Sequence, residues 1–295
     1  MNQQKSYLDG SGKLYLVPTP IGNLEDMTFR AIDTLKQVDL ILAEDTRRTI
    51  KLLNHFEIKQ PMMSFHEHSS QNQVIQLIER LVQGENLALV SDAGMPLIND
   101  PGHPLVQAAI QHNISVIALP GANAAITALV ASGLNAERFT YYGFFPRETK
   151  EQKDLTILIG QRNETAIFYE SPFRLKKTVK RIAEYLSADT QIVLAREISK
   201  QYEEYLRGKL SEILEFIEHN EIKGEFVLLV EGGRGVTVVD SAVIDLELPL
   251  KEQVDQWIAE YGVSSKEAIK EVAKLNGVRK QLVYQAYHNP TDVNH

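Results

Sequence analysis

Between residues 13 and 231 short apolar, β-branched runs alternate with stretches of helical periodicity, and this alternation constrains the fold more than any other feature of the chain. Strand candidates fall at 14–17, 39–43, 87–90, 115–119, 139–144, 166–169, 192–195 and 226–230. Helical patterns fill the intervals, among them 27–36, 71–82, 104–112, 175–186 and 210–219. Strand and helix in alternation predict an α/β fold whose mostly parallel or mixed sheets are covered on both faces. The count predicts two such domains in succession, 13–120 and 121–236, after a disordered lead-in over 1–12. Past Gly232-Gly233-Arg234-Gly235 the pattern changes. Residues 250–288 hold no strand candidate and read as three short helices, near 251–260, 265–274 and 279–287, broken at Gly262 and at Asn276-Gly277. Residues 240–288 are therefore expected to form a small helical extension resembling a helix-turn-helix.

In open α/β sheets ligands bind beyond the carboxyl ends of the strands, where loops vary freely and helix N-termini offer N–H donors. Here each strand runs into a loop rich in turn residues and charges. The first enters Pro18-Thr19-Pro20-Ile21-Gly22-Asn23 and the second Glu44-Asp45-Thr46-Arg47-Arg48. The third enters Ser91-Asp92-Ala93-Gly94-Met95, continuing to Asp100-Pro101-Gly102, and the fourth Pro120-Gly121-Ala122-Asn123-Ala124. In the second half the endings are Tyr169-Glu170-Ser171-Pro172-Phe173-Arg174, Arg196-Glu197-Ile198-Ser199-Lys200 and Glu231-Gly232-Gly233. One such loop would only turn the chain. Seven in one chain point to a ligand held by main-chain groups, and no Walker A or G-x-G-x-x-G string points to a triphosphate or dinucleotide.

Composition narrows the setting. The absence of cysteine excludes disulfides, thiolate nucleophiles and cysteine metal sites. The first residues lack the apolar stretch of a signal peptide, and no apolar run approaches a membrane span, so a cytoplasmic protein without a membrane role is expected. A net charge of −8 is the wrong overall sign for nucleic-acid binding, which would require local basic surfaces. Three basic stretches exist: Arg47, Arg48 and Lys51; Arg174, Lys176, Lys177, Lys180 and Arg181; and Lys266, Lys270, Lys274, Arg279 and Lys280. Any of them could equally be a solvated helix face. His66-Glu67-His68 has no third ligand at a recognisable spacing, so no metal site is expected.

The segments LYLVPTPIGNLEDMTFRA, ILAEDTRRT, LVSDAGMPLINDPG, LPGANA, FYESPFR, AREISK and GEFVLLVEGG, in this order and spacing, resemble the small-subunit ribosomal RNA methyltransferase I family. That family is similar in fold to the tetrapyrrole methylases, and the resemblance covers residues 13–288. It implies 2′-O-methylation of a cytidine in the decoding region of 16S rRNA, with S-adenosylmethionine as donor and a homodimer as the working form. The rRNA or the assembled small subunit would be the partner. The resemblance also implies a donor site between the two α/β domains. Pro20 and Ile21 match the first loop of tetrapyrrole methylases, with prolines where those have glycines. Ser91, Asp92, Ala93, Gly94 and Met95 match their second loop, Asn123 and Ala124 the pair after a Pro-Gly turn, and Tyr169 with Glu170 a strand end facing the methionine moiety.

A ribose hydroxyl is a poor nucleophile, so alignment with the methyl carbon and a proton acceptor would both accelerate transfer. Candidates for the acceptor are Glu44, Asp45, Glu170 and Glu197, with His66 and His68 as further possibilities. RNA would be met by Arg47, Arg48, Arg174, Lys176, Lys177, Lys180, Lys266 and Lys270. Two alternatives stand beside this reading. A small-molecule methylase of the tetrapyrrole type is disfavoured by the missing glycine-rich first loop and the added helices. A non-catalytic RNA-binding scaffold would tolerate eroded loops, and these are intact.

Overall fold

The computed structural model describes residues 3–6, 12–66, 69–236, 248–261 and 263–288. Most of the expected lead-in, His68, the break at Gly262 and the first residues of the expected helical extension lie outside the described residues.

Two five-stranded sheets follow one another. The first is built from β1 Lys13–Val17, α1 Phe29–Gln37, β2 Leu40–Ala43, α2 Thr46–His55, β3 Met62–Ser64, α3 Gln71–Val82, β4 Leu87–Val90, α4 His103–Gln111 and β5 Ser115–Ala118. Its order is β3-β2-β4-β1-β5 with every pairing parallel. Strands β2 and β4 are buried along their whole length, as a covered parallel sheet requires. Alternate residues divide between the faces. Ile41 and Ala43 join Leu35 and Leu53 on one side, while Leu40 and Leu42 join Leu77, Leu81 and Leu105 on the other. Side-chain oxygens of Thr28, Asp45 and Ser70 cap the helices that follow, accepting from Ala31, Arg47 and Gln73 amides. Gln4 docks on the edge strand, its amide reading both backbone groups of Val116 at 2.9 and 3.0 Å, so the chain is already anchored within the expected lead-in.

The second sheet uses α5 Ala124–Ser132, β6 Phe139–Phe144, α6 Thr149–Gln161, β7 Thr165–Glu170, α7 Pro172–Ala183, β8 Gln191–Arg196, β9 Glu204–Lys209, α8 Leu210–His219 and β10 Phe226–Glu231. Its order is β6-β7-β10-β8-β9, and only β6 and β7 run parallel. Because β10 is antiparallel to both neighbours, its start at Phe226 lies opposite Glu170 and Arg196, at the ends of β7 and β8. Helix α5 belongs to this sheet: Ala125, Ala128 and Leu129 pack on Ile167, Val193 and Leu229.

The two sheets lie in one compact unit, which reaches to Gly235 apart from residues 184–186. The remaining residues form a second unit with α9 Leu250–Tyr261, α10 Ser265–Leu275 and α11 Lys280–His288 around Val254, Ile269, Val272 and Val283. Edge strands β3 and β9 were not expected from the sequence. Helix α7 also starts earlier than its periodicity suggested, with Pro172 in the first position, where a missing N–H costs nothing.

Candidate functional site

The parallel pairings carry the ends of β1, β2, β4 and β5 to one edge of the first sheet. Within the same unit, the ends of β7 and β8 and the start of β10 come to the edge that faces them, and a cavity of about 500 Å³ lies where the two edges meet. That volume suits a nucleoside-sized ligand. The first lobe lines it with Ile21, Arg48, the loop from Asp92 to Met95 and Ile98 to Asp100, and the start of α5 brings Asn123 and Ala124. The second lobe adds Phe144, Tyr169 to Pro172, Glu197, Ile198, Lys200 and the start of β10.

The loops are held to one another before any ligand arrives. Thr19 and Gly94 exchange both backbone hydrogen bonds, at 2.9 and 3.0 Å, and Thr19 Oγ1 donates to the Ser91 carbonyl at 3.0 Å. Ser91 Oγ in turn donates to the Gly94 carbonyl at 2.6 Å. Ser91 is buried as a brace for the loop, and neither it nor Pro20 lines the cavity. Gly94 has φ +84°, and a Cβ there would stand 3.2 Å from the Ile21 side chain, so the loop needs glycine on two counts. Asn123 caps α5 by accepting from the Ile126 amide at 3.0 Å, which keeps that helix N-terminus at the cavity wall.

The expected carboxylates separate into distinct environments. Asp45 lies off the cavity wall, engaged with the Arg47 amide and guanidinium. Those contacts, above all the Arg47 side chain, hold its carboxyl down at about 2. Glu170 has a fully buried side chain whose oxygens accept from the Ser171 amide at 2.9 Å and Thr178 Oγ1 at 2.8 Å, with Arg174 at 3.6 Å. These contacts tie it to the start of α7. Glu197 accepts from the Glu225 amide at 2.8 Å and from Lys200 at 3.0 Å. Burial alone would raise its pKa, but the amide and the ammonium prevail and lower it. Asp92 accepts from the Asp45 amide at 3.2 Å and pairs with Arg48 at 3.1 Å.

Asp100 differs from all of these. It was missed in the sequence because its strand is ten residues behind it, although it is the second acid of the same loop. It is half-buried on the cavity wall, and burial, then the charges of Glu44 and Asp92, push its carboxyl up to about 7. Glu44 is its hydrogen-bond partner. Tyr141 and Tyr169 stand nearby, ring centroids 5.1 Å apart, both hydroxyls shifted upward mainly by burial.

Of the expected RNA contacts, Arg47 and Arg48 are exposed on α2, and Lys176 and Lys177 on α7. Arg174 instead turns inward to the Phe145 carbonyl and Glu170, and Lys180 is paired with Glu218 at 2.7 Å. Lys266 and Lys270 lie exposed on α10 of the separate helical unit. His66 is exposed and does not line the cavity. No cluster of potential metal ligands occurs among the described residues.

Comparison with known proteins agrees with this arrangement. Residues 13–214 match the family of Tetrapyrrole (Corrin/Porphyrin) Methylases. Ribosomal RNA small subunit methyltransferase I of Bacillus subtilis (strain 168) is 50% identical over 277 residues, 94% of each chain. The chain belongs to the ribosomal RNA small subunit methyltransferase I family. The protein of the same name from Streptococcus pyogenes serotype M1 is 48% identical over 98% of this chain and 100% of its own. Among solved structures, uroporphyrin-III-C-methyltransferase from Thermus thermophilus superposes with a TM-score of 0.52 at 18% identity, over 76% of this chain and 95% of its own, a likeness of fold.

As in the family, the methyl donor is S-adenosylmethionine. The cavity fits it: Asp92, Glu170, Glu197 and Glu225 outnumber Arg48 and Lys200 around a ligand whose sulfonium, ammonium and carboxylate sum to a net positive charge. Main-chain groups around Ala93-Gly94 and Asn123-Ala124 would hold the nucleoside and amino-acid parts. When bound, the donor supplies a methyl carbon already activated for in-line displacement, which leaves the protein to align the acceptor and receive its proton.

Proposed function

We propose that the protein methylates the 2′-hydroxyl of a cytidine in the decoding region of 16S rRNA, acting on the rRNA or the small subunit in the cytoplasm, as a homodimer. The observation that carries this reading is the contrast between the cavity and its mouth. The lining acids suit the cationic donor, whereas Arg48 and Phe144 bring an exposed cation and an exposed ring to the same wall. Arg48 lines the cavity with its side chain 70% exposed, and Phe173, one residue beyond the lining Pro172, is 96% exposed. Phe144 also lines the wall and is about half exposed. Cations would neutralise backbone phosphates, and unpaired bases splayed from a loop would stack on the rings. The relatives from Bacillus subtilis and Streptococcus pyogenes, both named for ribosomal RNA, support it as the substrate class.

Mass mapping of small-subunit rRNA from cells with and without the protein tests the reading. A methyl group that disappears from one cytidine on deletion, and whose nucleotide resists alkaline cleavage of the adjacent phosphodiester, supports it. A methyl group found on a base, or an unchanged rRNA, refutes it. Sedimentation of the purified protein tests the dimer.

A further inference from the structure

We propose that Asp100 is the proton acceptor for the attacking ribose hydroxyl, with Glu44 as a positioning residue that holds and tunes it. This rests on the reading that a ribose hydroxyl is the methyl acceptor. The other carboxylates at the cavity are committed: Glu170 to Thr178, the Ser171 amide and Arg174; Glu197 to Lys200 and the Glu225 amide; Glu225 to Lys200; Asp92 to Arg48 and the Asp45 amide. Asp100 has for its partner another acid, Glu44, and two carboxyl groups that share a hydrogen bond share a proton.

The backbone around Asp100 is forced into an unusual course that places it on the wall. Leu97 at φ +69° and Asn99 at φ +65° are both left-handed, a conformation that Leu in particular keeps only where the surroundings fix it. The surroundings do. The Tyr141 hydroxyl donates to Asn99 Oδ1 at 2.9 Å, and Asn99 lies over Gly143, where a Cβ would stand 3.2 Å from that oxygen. Gly102 closes the loop against Leu89, leaving no room for a side chain. A loop built at this expense to present one half-buried acid is expected where the acid acts on the ligand.

The groups facing Asp100 are Glu44 at the end of β2, Asp92 on its own loop with Arg48 of α2 behind it, Tyr141 of β6 and Tyr169 of β7. Burial and the two acids raise its carboxyl to about 7, close to the pH at which a proton acceptor is most effective. In the transfer, the ribose O2′ bonds to the methyl carbon as the carbon–sulfur bond breaks and its electron pair stays on sulfur. The hydroxyl proton passes to the Asp100 carboxylate and from there to solvent.

Asp100→Asn and Glu44→Gln test this in the full-length protein. The Asp100→Asn enzyme should lose roughly 10²–10⁴-fold in single-turnover rate, with donor affinity by calorimetry and rRNA affinity unchanged. The wild-type rate should rise with pH through about 7, and Glu44→Gln should move that limb to lower pH by removing the neighbouring charge. Two readouts need no turnover. Carbon NMR of aspartate-labelled protein should show one carboxyl titrating near 7, absent in Asp100→Asn and shifted down in Glu44→Gln. The raised carboxyl also penalises the folded state increasingly as pH climbs from the ordinary 3.8 to about 7. Asp100→Asn should therefore raise Tm at pH 8, with the gain vanishing in acid. Undiminished turnover in Asp100→Asn, or no carboxyl titrating near neutrality, overturns the assignment. If the wild-type product instead carries its methyl group on a base, the functional reading fails, whatever Asp100 titrates at.

Discussion

The two lobes treat the acids at their strand ends in opposite ways. In the second lobe Glu170 and Glu197 are each surrounded by donors, and Lys200 bridges Glu197 and Glu225 at 3.0 and 2.8 Å. In the first lobe Asp92 is likewise engaged, by Arg48 and the Asp45 amide, but Asp100 faces the acids Glu44 and Asp92. An ion-paired carboxylate holds structure, and an under-compensated one is poised to exchange a proton. Under the proposal above, the proton transfer falls to the all-parallel lobe, and the acids of the mixed lobe serve to hold its loops.

The largest effect is expected where that wall is anchored. Glu170→Ala removes a buried acceptor from Thr178, the Ser171 amide and Arg174, and should cost about 3 kcal/mol of folding stability in denaturant titration. A variant that stays as stable as the wild type but loses turnover would break the comparison, because Glu170 would then be chemical. Next, Gly94→Val meets both a left-handed backbone and the Ile21 side chain, and should weaken donor binding roughly ten- to hundredfold by calorimetry while the protein stays folded. Unchanged affinity would take the first lobe's loop out of the donor site.

Smaller effects concern the RNA side. Lys176→Glu and Lys177→Glu, on the exposed face of α7, should each lower the salt slope of RNA binding by about one unit. Lys180→Glu should change it less, since that lysine already answers Glu218 at 2.7 Å. Equal effects from all three would mean that the ion pair opens on binding. The smallest change in donor affinity, none, is expected on deleting residues 240–295, because the cavity lies wholly in the larger unit. Methylation at limiting rRNA should nevertheless fall if the exposed lysines of α10 capture substrate. Full activity at limiting substrate would leave that unit without a part in capture.

The buried strands were legible in the sequence because they are continuous apolar runs: the whole of β2, β4 and most of β10 is buried. Strands β3 and β9 were not legible, since an edge strand buries too little to impose a pattern. Met62–Ser64 is three residues long, and Glu204–Lys209 alternates charge with half-buried side chains. The same distinction governs the site. Loops such as Asp92-Ala93-Gly94 stand out because glycine and proline mark backbone geometry. Whether an acid is spent or available depends on partners distant in the chain, and no spacing reveals that Thr178 occupies Glu170 or that Glu44 faces Asp100.

The position of β10 sets a clock on the birth of the protein. The first sheet is complete once Ala118 has been made, and nothing in its strand order waits for later residues. The second sheet has its middle strand last: β10 inserts between β7 and β8, so that sheet stands open until Glu231 has emerged. At ordinary rates of synthesis the delay is on the order of ten seconds. From the emergence of Arg196 onward the nascent chain carries a finished first sheet and an unfilled slot, whose flanking strands β7 and β8 are mostly buried in the folded protein. The cavity needs Phe226 and Val227 on its wall, so it comes into being only when that slot is filled.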